Sequence, residues 1–160
     1  MKKLLYTIAF FTLSVLFASC SSSAINDMEP AQSLDFTVTF QNVALSNGNI
    51  YVVKDSKFYI SSTQIAPTSR SITPVSKVEY FVNSKLRVRN VFAPFNASFD
   101  TRAMAAGSHD LNLNYEVLDS DNSSMTASKK FTVVIVNSTD ELPAGTTNGE
   151  AVYNFTTTVR

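Results

Sequence analysis

Few residues in this chain have the type and spacing to do chemistry. It holds one histidine, His109, and one cysteine, Cys20, so neither a Cys/His zinc site nor a disulfide framework is available. Ser108 adjoins His109 as a nucleophile adjoins its base, but neighbours on an extended chain point to opposite faces and do not meet. Asp119, Asp121 and Asn122 place hard oxygen ligands one residue apart, as a calcium loop does. The glycine such a loop needs is Ser124 here, and no acid closes it downstream, so the run reads as a solvated turn. The other acids are scattered over turns and outward strand positions, which leaves no carboxylate pair for glycosidic cleavage. The chain is expected not to be an enzyme and to hold no metal or cofactor.

The composition narrows the class. The chain has 160 residues, 13 basic and 13 acidic, with 16% charged and 44% hydrophobic residues. A disordered chain is poorer in apolar residues, and a nucleic-acid binder carries an excess of basic ones, so both classes are excluded. With Phe 12 and Tyr 6 against Gly 4, there is ample material for one core.

Lys2 and Lys3 precede an apolar run from Leu4 to Phe17, 14 residues against the roughly 20 that cross a bilayer. That run reads as the h-region of a secretory leader. The sequence that follows, Phe17-Ala18-Ser19-Cys20, resembles the bacterial lipoprotein signal. The resemblance implies removal of residues 1–19 and lipidation of Cys20, which makes a membrane the first partner. More than one acyl chain gives stable attachment, at about 0.8 kcal/mol per buried methylene. Losing Lys2 and Lys3 leaves 11 basic against 13 acidic residues, a net charge of −2. Residues 20–32 lack hydrophobic periodicity and read as a tether. Ser21 after the cysteine implies, by the same resemblance, an outer-membrane anchor, with the periplasmic or surface face left open.

From Leu34 onward the chain alternates with period two. Leu34, Phe36, Val38 and Phe40 form one apolar series, and Leu111, Leu113, Tyr115 and Val117 another. Phe131, Val133 and Ile135 continue the pattern, and Ala151–Val159 closes the chain. Only Ala103–Ala106 looks helical. The pattern predicts an all-β fold over residues 33–160, a two-sheet β-sandwich of seven to nine strands. The segments Val78-Glu79-Tyr80-Phe81-Val82-Asn83, Ala93-Pro94-Phe95, Phe99-Asp100-Thr101 and Gly107-Ser108-His109-Asp110-Leu111 resemble the bacterial immunoglobulin-like domain. That resemblance implies an immunoglobulin-like sandwich used at cell surfaces, with His109 a structural residue where a strand begins. The terminal strand lies outside the family pattern. It and Leu34–Val43 are expected close together at a sheet edge.

Parity then selects a surface. With Val78, Tyr80 and Val82 inward, a two-residue loop at Asn83-Ser84 sets Lys85 and Arg87 opposite Val82 and Tyr80, facing the core. A three-residue loop, Asn83–Lys85, instead pairs Val82 with Leu86 and Tyr80 with Val88, and is expected. The outer face then shows Phe81 opposite Arg87 and Glu79 opposite Arg89. Phe81, Arg87 and Arg89 are the candidate partner-binding residues, for an anionic glycan or an acidic envelope protein; the alternative is a solvated face whose charges compensate one another. The leading functional expectation is a non-catalytic, lipid-anchored binding or spacer module of the cell envelope. The alternative is an adhesin or assembly component acting through β-strand pairing, favoured if Ala151–Val159 is loose.

Overall fold

The computed structural model describes residues 32–65, 74–118 and 122–159. Cys20, the leader, the tether and the Asp119–Asp121 turn lie outside these residues. Nine strands run through the described chain: β1 (Gln32–Ser46), β2 (Asn49–Val53), β3 (Lys57–Ile65), β4 (Val75–Val82), β5 (Lys85–Asn90), β6 (Ala97–Asp100), β7 (Gly107–Leu118), β8 (Ser124–Val136) and β9 (Gly149–Val159). The fold is an all-β sandwich. One sheet has the order β6-β3-β1-β9, the other β5-β4-β7-β8-β2, and the end of β1 joins the second beside β2. Every pairing is antiparallel except β2 with β8. The Ala103–Ala106 segment forms turns, and among the described residues the helical piece is a 3-10 turn at Thr139–Glu141.

One residue lets β1 serve both sheets. Its Phe36–Gln41 stretch pairs with β3 and its Ala44–Ser46 end with β2. Asn42 breaks the β1–β9 register between Gln41 and Val43 at a φ of 61°, a conformation that Asn tolerates better than most residues. Its side chain is fixed on both sides: Nδ2 donates to the Lys57 carbonyl, and Oδ1 accepts from Asn148 Nδ2. The hairpin into β2 turns on Asn47 and Gly48, with φ of 49° and 76°, the left-handed pair that a two-residue turn demands.

The apolar series all face inward. Leu34, Phe36, Val38 and Phe40 are buried, as are Leu111, Leu113, Tyr115 and Val117. Aromatic contacts tie the layers together: Phe36 meets Tyr115 of the opposite sheet at 4.6 Å between ring centroids, and stacks on its ladder partner Phe155 at 5.3 Å. Such pairs add about 0.5–1.5 kcal/mol each beyond burial. Because Phe155 belongs to β9, the terminal strand is part of the core as well as of the β1 ladder, which extends from Gln32 with Val159 to Val43 with Gly149.

Two tyrosines stand inside. The Tyr80 hydroxyl donates to the Phe95 carbonyl, and burial pushes its pKa up to about 12. Tyr115 has no hydroxyl partner among the described residues, and burial holds its pKa well above the ordinary value.

Candidate functional site: the β4–β5 hairpin

The hairpin turns on Asn83 and Ser84 alone, both left-handed at φ of 48° and 64°. The expected three-residue loop is therefore corrected to two. Val82 pairs with Lys85 and Phe81 with Leu86; Tyr80 with Val88 and Glu79 with Arg89 pair as expected. What reconciles the two halves is a bulge: the register shifts between Tyr80 and Phe81, leaving Arg87 without a partner on β4. Parity ruled out a short loop only because the strand was taken as regular. One inserted residue restores inward Val88 opposite Tyr80 and puts the guanidinium in water. Leu86, expected inward, is turned outward beside Phe81 and is 42% exposed.

Asn83 holds the tip in place. Its backbone N–H donates to the Asp110 carbonyl at 2.9 Å, and its Oδ1 accepts from the Asp110 N–H at 3.0 Å. Its Nδ2 donates to His109 Nδ1 at 2.9 Å, while His109 Nε2 donates to the Ala105 carbonyl at 2.8 Å. His109 thus clips the hairpin to the start of β7.

The structure brings the three candidate residues onto one hairpin but separates their roles. Arg89 is spent on Glu79, Nε to Oε1 at 2.6 Å. Phe81 is half-buried, and its cross-strand neighbour is Leu86 instead of the expected Arg87. Arg87 is exposed, and its guanidinium has no ion pair or hydrogen bond among the described residues. Of the other cations between Lys77 and Arg102, Lys77 pairs with Glu116 at 2.6 Å and Arg102 with Asp100 at 2.5 Å, which leaves Lys85 as the second charge without an ion pair among the described residues. Arg102's hydrogen bonds hold the Asp100 carboxyl at a pKa of about 2, and Lys77 lowers that of Glu116. The local positive charge thus reduces to Lys85 and Arg87, flanking outward Leu86. Leu86 is the residue that strand parity misses, and the Asn-Ser turn is the signal that finds it, because two left-handed positions need only those two residues.

Where β4, β7 and β8 come beside β9, an open hollow of about 500 Å³ is lined by Lys77, Glu79, Asn114, Tyr115, Glu116, Ala127 and Ser128, with Thr157 and Thr158 of β9. Its cation is already paired with Glu116, so it offers a polar surface with little net charge.

No family model matches this chain, and no curated protein matches it. Among solved structures it is similar to the fibronectin(III)-like modules of Clostridium thermocellum CbhA. The TM-score is 0.40 at 13% identity, covering 61% of this chain and 98% of that one.

Proposed function

We propose that this protein is a non-catalytic module of the cell envelope, held to a membrane through lipidated Cys20, which binds an acidic partner at its β4–β5 hairpin. The observation that carries the binding half is Arg87. A β-bulge sets its cation in solvent beside an outward Leu86, on a hairpin that His109 and Asn83 lock to β7. Bulges serve to re-aim a side chain, and a cation without an internal partner keeps its full attraction for an external one. The partner class is an anionic glycan or an acidic envelope protein. Pairing of β9 with β1 along its length favours a self-contained module over one that exchanges its last strand.

The anchor is tested by Cys20→Ser, which should release the protein from membranes into the soluble fraction; a variant that still pellets, from a wild type without acyl chains, refutes lipidation. The surface is tested by capture from envelope extract with the mature domain. Arg87→Ser should weaken capture most at low salt, Phe81→Ser should weaken it less, and Arg89→Ser least, because Arg89 already has Glu79. Equal capture by all three variants rules the surface out.

A further inference from the structure

The most exposed large apolar side chain among the described residues is Phe92, at 78%, with Val91 next to it at 51%. Both lie in the β5–β6 connection, which is a tightly fixed turn. The Phe92 N–H donates to Asn90 Oδ1 at 3.0 Å, and the Phe92 carbonyl accepts from the Phe95 N–H at 2.9 Å. Asn90 Nδ2 donates to the Asn96 carbonyl at 3.2 Å, and the Pro94 carbonyl accepts from the Thr63 N–H at 3.0 Å. The ring is held out in water by a framed turn, where hydrophobic burial would draw it in.

The ladders show where that turn points. Phe36 of β1 lies on Tyr115 of β7; Tyr115 pairs with Val78, and Val78 with Asn90. From that common level β1 runs back to Gln32, which pairs with Val159, and β5 runs on two residues to Phe92. The direction is the same for both: Phe40 of β1 meets Phe131, which pairs with Leu111 on the Val82 side of the level, so Gln32 lies on the Val75–Val117 side toward which β5 runs. Phe92 and Gln32 therefore mark one end of the sandwich, and the Asn83-Ser84 tip the opposite end. Residues 21–31 separate Gln32 from Cys20, a span of at most roughly 40 Å.

We propose that Phe92, with Val91, is a membrane-contact tip, seated in the interface of the same bilayer that holds the acyl chains on Cys20. The inference rests on the lipidation reading. A tether this short keeps the tip at an effective concentration in about the millimolar range, so a contact too weak to recruit the protein forms once the anchor is inserted. Lipid is the favoured occupant because it offers no hydrogen bonds, and the turn asks for few: the Phe92 N–H and carbonyl and the Pro94 carbonyl are already satisfied within the protein. The contact would stand the sandwich on end, with Arg87 and Leu86 turned away from the membrane toward a partner.

The chain contains no tryptophan, so F92W supplies a single reporter, and L86W supplies one near the opposite end. The full lipidated chain is placed in phosphatidylethanolamine–phosphatidylglycerol vesicles containing brominated acyl chains. F92W emission should move to shorter wavelength and be quenched, relative to the same variant carrying C20S in buffer, while L86W emission should not change. If the protein floats with the vesicles, with acyl chains shown by mass spectrometry, and F92W emission stays as in buffer, the tip is refuted and the anchor stands. Equal quenching of both reporters also refutes it, since the sandwich then has no oriented end. A chain without acyl groups that stays in solution refutes lipidation and, with it, the tip.

Discussion

Two strands of one sheet, β5 and β8, each carry a cation that simple alternation misplaces, and they handle it in opposite ways. On β5, Arg87 sits where a regular two-residue hairpin would point it inward, and a bulge moves it into water. On β8, Lys129 keeps its inward position, in series with buried Ala127, Phe131 and Val133. Its ammonium lies 5.7, 5.3 and 5.1 Å from the ring centres of Phe131, Tyr153 and Phe155. The difference comes from what lies beyond each strand. β5 is the last strand of its sheet, open to solvent, so a guanidinium reaches water by a one-residue insertion. The Ser124–Lys130 stretch of β8 lies beyond the reach of β2, which pairs only from Thr132 onward, and faces the rings of β9 across the seam between sheets. There the charge is stabilised by ring faces while its stem covers apolar surface. Bulges and inward-pointing lysines are both devices that protect an unpaired strand edge from pairing with other chains.

Removing β9 tests the seam most severely. A chain ended after Gly149 loses Tyr153, Phe155 and Val159, and uncovers Phe36, Tyr115 and Phe131. Burial of large side chains at about 1.5–3 kcal/mol each, with about 2–4 °C in Tm per kcal/mol for a chain of this size, predicts a fall of more than 10 °C. Calorimetry that finds Tm unchanged would make β9 an ornament and return strand exchange to consideration.

Lys129→Met tests the seam more gently, keeping most of the stem and deleting the charge. Loss of the three ring contacts should cost about 1 kcal/mol in urea unfolding, and removal of the inward charge should increase self-association in sedimentation. If neither changes, the ammonium is simply solvated, and the contrast with Arg87 is one of position only.

How much of this was legible in the sequence follows from the same contrast. Period-two alternation locates strands wherever one face is buried and the strand is regular, so Leu34–Phe40 and Leu111–Val117 were readable, as was the nearness of the two terminal strands. Alternation carries no signal for a single inserted residue. It therefore misassigned the hairpin loop and the face of Leu86, and it gave no warning that Asn42 would pass β1 between the two sheets. Lys129 was missed because a lysine between apolar neighbours reads as outward, and only the tertiary seam with β9 supplies its rings. Phe92 was invisible for a related reason: the ladders, and not its neighbours in sequence, place it at the end where the chain enters the sandwich.

Deleting Arg87 should have the smallest effect on stability and yet discriminates most sharply. If Arg87 is an inserted residue, its removal leaves Val82 opposite Lys85, Phe81 opposite Leu86 and Tyr80 opposite Val88, the pairs already present, now in an unbroken ladder. Only an exposed side chain without an internal partner is lost, so stability should change by no more than about 1 kcal/mol. Were the loop three residues long, the same deletion would shift the rest of β5 by one position, turning Val88 outward and Arg89 toward Tyr80; a cation facing the core would cost several kcal/mol, and the fold would not survive. Urea unfolding of the deletion variant separates these outcomes. Capture from envelope extract with the same folded variant then asks whether the bulge exists for the partner. Full stability with lost capture assigns the bulge to binding, whereas full stability with full capture assigns it to edge protection alone.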